Sequence, residues 1–265
     1  MNVADREWQR FTPKERFARF IVYLCTGLLL AWSFQSVQII PEFLADAPTQ
    51  MADLFHRMVP VDFGFYYDGV HTVLIETLHI ATLGTLLTLV MALPIGVMAA
   101  KNVCKVPFFN WLATLILVSS RSVNSLVWAM LFVAIFGPGT LAGVITISVR
   151  SIGFVGKLFG EALEEAHIGP VEAMKAAGAP WFSIFTKAYW PQVSPAFWSI
   201  ALFRWDINVR ESSVIGLVGA GGIGVALDSA LNLFQWTRVS LILLCIFAVV
   251  ILAEILVTQI RKHII

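Results

Sequence analysis

GLVGAGGIGVALD, at Gly216–Asp228, contains three glycines with the spacing G-x-G-x-x-G: Gly219, Gly221 and Gly224. In a soluble α/β domain this spacing binds a dinucleotide pyrophosphate, provided that a strand precedes it, a helix follows it and an acidic residue stands about 20 positions further on. Here a long apolar segment precedes the glycines, and position 244 is a leucine inside another apolar run. We therefore predict no dinucleotide site and look for another use of the glycines.

The composition indicates an integral membrane protein. Of the 265 residues, 58% are hydrophobic and 13% are charged, whereas soluble domains carry about 25% charged residues. So little charge could not cover a soluble fold with polar groups. The net charge of +1 and the scattered basic residues do not indicate a nucleic-acid partner. The three cysteines are too far apart in sequence to predict a disulfide framework or a metal site.

Long apolar segments predict the membrane spans, because an α-helical span needs about 20 mainly apolar residues. Five segments qualify directly: Phe20–Ile40, Val70–Ala99, Pro107–Phe136, Thr140–Leu163 and Val239–Ile260. We predict a sixth span at Val193–Gly216, although several charged side chains lower its hydropathy. The first segment is expected to be a retained helix rather than a signal peptide, since the nearby Ala45-Asp46-Ala47 lies beyond the apolar run and precedes a proline.

Lysine and arginine predict the orientation, because cytoplasmic loops are enriched in them. The arginine-rich tail at 1–19, Lys101 with Lys105, and the tail at 261–265 are therefore expected in the cytoplasm. Two cytoplasmic termini require an even number of spans, which supports the sixth. The predicted organisation is listed in chain order: a tail at 1–19, a first transmembrane helix at 20–40, an external loop at 41–69, a core at 70–260 that includes a cytoplasmic segment at 161–191, and a tail at 261–265.

The glycine-rich stretch is expected to interrupt a helix. Five glycines in the nine positions from Gly216 to Gly224 are too many for one well-formed helix. In membrane proteins, glycine allows close helix packing or breaks a helix that lines a cavity. We predict a broken, pore-lining segment that includes Gly219, Gly221, Gly222 and Gly224. Another glycine pair, in Gly153–Lys157, lacks the spacing and the Ser or Thr of a phosphate loop, so we predict no ATP site.

The cytoplasmic segment contains the signals of a short helix. Gly169-Pro170 favours a helix start, while Gly178, followed by Pro180, favours a helix end with the glycine in the left-handed conformation. Alanines keep one side of this helix small. Such a helix suits docking in a groove of another protein; an amphipathic connector lying on the membrane is the alternative.

The same residues carry a family resemblance. Glu172-Ala173, Gly178 and Pro191, thirteen residues later, resemble the E-A-A…G…I-x-L-P signature of ABC importer permeases. Three positions depart from that signature: Met174, Ala188 and Trp190. The resemblance implies an all-α integral membrane protein of the type I importer class, with six transmembrane helices. It also implies that Glu172, Ala173, Gly178 and Pro191 belong to a cytoplasmic coupling segment that contacts the ATPase subunit.

Other stretches of the sequence restrict the resemblance to one group within this family. Those similar to the phosphonate-type permeases are Arg121–Asn124, Gly169–Glu172, Phe203–Arg210 and Gly216–Gly224. This similarity implies a phosphonate, phosphite or hypophosphite-like oxyanion as the substrate. The implied partners are an ABC ATPase dimer that binds ATP and Mg, a second permease subunit (a second copy or a sibling), a periplasmic substrate-binding protein and membrane lipid. The resemblance implies no cofactor, metal or catalytic residue in this chain, and a bacterial inner-membrane location.

Polar residues within the spans point to an anion path on physical grounds. A charge at mid-bilayer costs about 2.5–3.5 kcal/mol on insertion scales, so such residues face the bundle interior, a partner or water. The candidate path residues are arginines, asparagines and serines: Arg121, Asn124, Arg150, Arg204, Asn208, Arg210, Ser212 and Ser213.

Ion pairing is the alternative for these arginines. Asp206 is four residues from Arg210, a spacing that allows an ion pair, and Glu211 is available to another arginine. Arg121 and Arg150 have no acidic residue within one turn. They are expected either to contact the substrate or to pair across helices.

Other function classes have less support from the sequence. Many ion-driven secondary transporters contain an inverted repeat, and none is evident here. A membrane-embedded enzyme would need a nucleophile–base or metal constellation, whereas the five histidines are dispersed without an H-E-x-x-H pattern. An ABC importer permease for another small solute is the remaining alternative.

Overall fold

The computed structural model describes residues 11–37 and 41–264, and these residues form helices with no strand. The prediction of an all-α protein is confirmed. The chain divides into two compact units, Met1–Phe55 and His56–Ile265. The helices are listed in chain order: α1 Pro13–Ser36, α2 Pro41–Arg57, α3 His71–Ala99, α4 Pro107–Ser122, α5 Ser125–Phe136, α6 Thr140–Glu164, α7 Ile168–Ala176, α8 Trp181–Ile184, α9 Trp190–Ile215, α10 Ile223–Asn232 and α11 Trp236–Ile264.

The first unit contains α1 and most of α2. Thr12 precedes α1, and its backbone N–H donates to Glu15 Oε2 at 2.9 Å, which satisfies one of the free amides at the helix start. Lys14–Ser36 is long and apolar enough to span a membrane, while residues 38–40 of the predicted first span lie outside the described residues. The region predicted as a loop at 41–69 contains the 17-residue helix α2, so this segment between the first two predicted spans is partly helical.

The core of the second unit is built on α3, α6 and α9. Helices α3 and α6 approach closely because glycines replace larger side chains where they cross. A Cβ placed on Gly84 would lie 2.7 Å from Ile147, and one placed on Gly96 would lie 2.7 Å from Phe159 and 3.0 Å from the Gly156 carbonyl oxygen. Packing through small residues is typical of membrane helices, whose association gains little from the hydrophobic effect.

The described helices provide up to six spans by length and composition. Four single segments qualify, and two bent pairs, α4 with α5 and the Trp181–Val218 segment with α10, bring the total to six. The predicted span Pro107–Phe136 is not one straight helix, because α4 and α5 meet at an angle of 96°. Asn124 explains the break: its Oδ1 accepts the Leu126 backbone N–H at 3.0 Å, and asparagine at this position stabilises the start of a new helix.

The chain between α6 and α9 packs as a short helical connection. α7 and α8 are followed by a π-helical turn, Phe185–Tyr189, that leads directly into α9. A buried apolar cluster contains Phe159 and Leu163 of α6, Val171 of α7, Ile184 of α8 and Val193 of α9. This cluster fixes the connection against the ends of two long helices.

Candidate functional site

The C-terminal end of α7 is built around a left-handed glycine. Gly178 has φ of 73°. Its N–H donates to the Lys175 carbonyl at 3.0 Å, and the Ala179 N–H donates to the Met174 carbonyl at 3.1 Å, which is the bond pattern of a Schellman motif. The prediction that Gly178 ends this helix in the left-handed conformation is confirmed. A Cβ at Gly178 would meet nothing within 4 Å, so the backbone conformation alone favours glycine.

The two sides of α7 have different environments. Val171 is fully buried and Met174 packs against the same apolar cluster, whereas Glu172 and Ala173 are exposed. Met174, one of the departures from the family signature, therefore lies on the inner side of α7. Pro191 is exposed within the first turn of α9, where its missing N–H leaves no unsatisfied helical bond.

A buried ion pair lies in the middle of α9. Arg204 Nη2 donates to Glu211 Oε2 at 2.9 Å, two turns further along the helix, and Arg204 Nε donates to Ser151 Oγ at 2.8 Å. The Arg204 side chain is 4% exposed and that of Glu211 is 20% exposed. The guanidinium charge is thus compensated by a carboxylate and a hydroxyl within the protein.

A hydrogen-bond chain continues from this pair to α3. Ser151 Oγ donates to Asn208 Oδ1 at 3.0 Å, and Asn208 Nδ2 donates to Thr85 Oγ1 at 2.8 Å. Asn208 is fully buried, so the structure places this predicted path residue in the interior, where it joins α3, α6 and α9. Sequence reasoning missed Thr85 and Ser151, since an isolated hydroxyl in an apolar helix gives no signal of its partner.

Arg150 lies beside this network. Its Nε is buried and has no hydrogen-bond partner among the described residues, and its charge repels that of Arg204. Arg150 and Arg204 are two positive groups, and Glu211 is a single negative one. We name these three residues the charge cluster. It carries one surplus positive charge between α6 and α9.

The other predicted path residues of α9 have partners within their own helix. Arg210 Nη2 donates to Asp206 Oδ2, so the ion pair that their spacing allows is confirmed; half of the Arg210 side chain remains exposed. Ser212 and Ser213 are buried, and both hydroxyls donate to the Val209 carbonyl, at 2.8 Å and 3.4 Å. The structure therefore does not bring these serines to an open surface of the protein.

Arg121 lies at the end of α4 in a cleft of about 320 Å³. The other charged side chains that line the cleft are Lys101, Lys157, Glu161 and Glu164. Gly153 allows α4 to approach α6 here, because a Cβ on Gly153 would lie 2.5 Å from Arg121 Cγ. Gly153, the first glycine of the Gly153–Lys157 stretch that lacks the phosphate-loop spacing, thus allows close helix packing. Asn124, beyond the break, is exposed and begins α5.

The glycine-rich stretch forms a tight connection between α9 and α10. A 3₁₀ turn, Gly216–Val218, is followed by left-handed backbone at Gly219, Gly221 and Gly222. The predicted helix break is confirmed. Gly221, Gly222 and Gly224 are buried, and Gly219 is half-buried.

Contacts with α3 and the start of α6 hold this stretch in place. The Ile223 N–H donates to Thr77 Oγ1 at 2.7 Å, and the Gly139 N–H donates to the Gly219 carbonyl at 2.9 Å. A Cβ on Gly221 would lie 2.9 Å from the Thr140 nitrogen and 3.1 Å from Glu76 Oε1. Close packing within the protein accounts for glycine at these positions.

Comparisons with known proteins place this chain among transport proteins. Residues 92–265 match the family described as "Binding-protein-dependent transport system inner membrane component". The phosphite transport system permease protein PtxC of Stutzerimonas stutzeri is 39% identical over 213 residues, which cover 80% of this chain and 77% of that protein. The phosphate-import permease protein PhnE of Mycolicibacterium smegmatis is 32% identical over 253 residues, 95% of this chain but only 47% of that protein, so the chain spans about half of its length.

A solved structure agrees with the fold. An inward-facing form of the MetNI methionine ABC transporter contains a chain that superposes with a TM-score of 0.67 at 22% identity. The superposition covers 77% of the present chain and all of the other. At this identity, the similarity supports the arrangement of helices and says nothing about the transported solute.

Proposed function

This chain belongs to the family of binding-protein-dependent transport system inner membrane components, and from that premise we propose that it imports a small phosphorus oxyanion, phosphite or a phosphonate. As a member of the family it is a multi-pass permease subunit of an ABC importer in the inner membrane, and it is not itself catalytic. Its partners include an ATPase and a substrate-binding protein. Relatives named as phosphite permeases support the substrate class.

The charge cluster is the observation that carries the substrate proposal. Arg150 has a buried Nε with no hydrogen-bond partner within the described part of the chain, and a guanidinium binds the oxygens of an oxyanion through charge-assisted hydrogen bonds. Glu211 neutralises Arg204, so one surplus positive charge remains for the anion. A single surplus charge suits transport, since binding must be strong enough for entry and weak enough for release. Thr85, Ser151 and Asn208 hold Arg204 in position and are assigned a positioning role.

The cleft beside Arg121 is proposed as the continuation of the path toward the cytoplasm. Its Lys101 belongs to the connection between α3 and α4, which the positive-inside rule places in the cytoplasm together with both termini. Arg121 would attract an anion released from the charge cluster, whereas Lys157 Nζ lies 3.4 Å from Glu161 Oε1 and is ion-paired with it. The second carboxylate, Glu164, would limit how tightly the cleft holds the anion. A second permease subunit, a further copy or a sibling, would complete the path.

We also propose that the exposed side of α7 docks on the ATPase, which binds ATP and Mg. Glu172 and Ala173 lie on that side, and Gly178 fixes where it ends. Pro191 is assigned to the same coupling segment because it lies in the first turn of the helix that follows. The glycine stretch, with Gly219 its least buried glycine, is assigned to the outer part of the protein. ATP binding and hydrolysis in the partner would then drive the change of access.

ATP-dependent uptake of phosphite into proteoliposomes that contain the permease, its ATPase and its binding protein tests the substrate proposal. Arg150→Gln should reduce uptake per assembled complex by about tenfold or more, because a charge-assisted hydrogen bond contributes roughly 1.5–3 kcal/mol. Arg150→Lys keeps the charge but loses the planar fork, so its uptake per assembled complex should lie between those of Arg150→Gln and wild type. The exposed Arg261, bonded to Ser199, provides the control: Arg261→Gln should leave uptake near the wild-type value.

Two outcomes would contradict this proposal at different points. Unchanged phosphite uptake per complex in Arg150→Gln would remove the charge cluster from the path. Uptake of methionine but not of phosphite or a phosphonate by the wild-type complex would refute the substrate class while leaving the permease function intact.

A further inference from the structure

Gln192 connects the first turn of α9 to the start of α7. The His167 backbone N–H donates to Gln192 Oε1 at 3.0 Å, and Gln192 Nε2 donates to the His167 carbonyl at 3.3 Å and to the Ala188 carbonyl at 2.7 Å. His167 is the residue immediately before α7. A primary amide can accept from the N–H and donate to the C=O of the same residue, so the glutamine pairs with the backbone of His167 as a neighbouring strand would.

This pairing supplies directional contacts that the apolar packing of α7 lacks. Val171 is buried in a cluster with Val193 and Phe197 of α9, but hydrophobic contacts are non-directional and tolerate small displacements. Hydrogen bonds weaken steeply when their angles change. The two bonds between Gln192 and His167 therefore fix the position of the α7 N-terminus relative to α9.

We propose that Gln192 is a positioning residue that transmits the movement of α7 to α9, and thereby links the ATPase to the charge cluster. This inference rests on the proposed docking of the ATPase on α7. Helix α9 runs from Trp190 to Ile215, and Arg204 lies twelve residues beyond Gln192, which is about 18 Å along a helix at 1.5 Å per residue. A displacement of the α7 N-terminus would thus be applied directly to the helix that carries Arg204 and Glu211.

Variants of Gln192 in the complete reconstituted complex test this role. Gln192→Met keeps the length of the side chain and removes both bonds with His167, while Gln192→Glu keeps the acceptor and removes the donor. Ser194→Ala, in the same turn of α9, is the matched control. Three quantities are measured for each variant: ATPase co-purified per permease, ATP hydrolysis stimulated by the loaded binding protein, and phosphite transported per ATP hydrolysed.

The proposal predicts a specific loss of coupling. Gln192→Met should retain ATPase binding and ATP hydrolysis within about twofold of wild type, while phosphite transported per ATP should fall at least about fivefold, the lower end of typical coupling effects. The amount of phosphite that Gln192→Glu transports per ATP should lie between the values for Gln192→Met and wild type. Ser194→Ala should match wild type in this ratio. A graded loss of transport per ATP at constant assembly is not expected of a residue that only supports folding.

Other outcomes would overturn the proposal. If Gln192→Met transports as much phosphite per ATP as wild type, the two bonds do not transmit movement. If it loses ATPase binding in proportion to transport, Gln192 only maintains the docking surface. Failure of the docking proposal itself is recognised separately: replacement of Glu172 and Gly178 would then leave ATPase co-purification unchanged, whatever the result at Gln192.

Discussion

Replacement of Gly178 tests whether the end of α7 controls ATPase docking. Gly178 has φ of 73° and nothing within 4 Å of the position of a Cβ, so the main cost of a small side chain there is conformational. Left-handed backbone costs an L-residue about 1–2 kcal/mol, and a β-branched residue tolerates it least. One to two kcal/mol raises the open fraction of the last turn about 5- to 30-fold. Gly178→Val should therefore impair docking more than Gly178→Ala.

Gly169 provides a matched control within the same helix. It also has open space at its Cβ position, but it is not among the glycines with positive φ, so Gly169→Ala should affect the α7 amides and ATPase docking less than Gly178→Ala. Hydrogen exchange of the α7 amides measures the local opening, and co-purification of the ATPase measures docking. Unchanged exchange and full ATPase recovery in Gly178→Val would refute the reasoning, because the strain would then have no effect on the docking surface.

Two further predictions concern buried and cleft-lining charges. Uptake per assembled complex should decrease in the order wild type, Arg121→Lys, Arg121→Gln, because lysine keeps the charge but loses the planar fork; normal uptake in Arg121→Gln would exclude this arginine from the path. Glu211→Gln should destabilise the detergent-solubilised permease by about 3–5 kcal/mol, since it leaves the buried Arg204 uncompensated. Asp206→Asn, the control, should cost less in the same thermal unfolding assay because half of the Arg210 side chain remains exposed; equal losses would contradict this explanation.

Features determined by neighbouring residues were predictable from the sequence. Proline, glycine and alanine spacing located α7 and the left-handed Gly178, and the crowding of glycines after Gly216 predicted the break before α10. Each depends on local backbone preferences, which act within a few residues. The i, i+4 spacing likewise indicated the pair of Asp206 with Arg210.

Contacts between distant segments could not be predicted in this way. Thr85 and Asn208 are 123 residues apart, and a helix that is apolar on all sides gives no periodicity to show which side faces its neighbour. The pairing of Gln192 with His167 was also missed, because these residues are 25 positions apart in the sequence. The break at Asn124 was missed although asparagine is a strong helix-starting residue, because the apolar run on both sides favoured one long span.

The contacts of α3 with α6 have a mechanical consequence. Backbone lies against backbone at Gly96 and Gly160, where a Cβ on Gly160 would stand 3.2 Å from the Gly96 carbonyl oxygen. The nearest atoms across this crossing are backbone atoms, the Ala99 Cβ and the Phe159 ring, and interiors packed this tightly have low compressibility. The crossing of α3 and α6 is therefore expected to resist a change in the angle between the two helices. Bending is expected where the helical hydrogen-bond ladder is interrupted: at Pro94 within α3 and Pro195 within α9, which lack an N–H, at Val123–Asn124, and in the glycine stretch before α10.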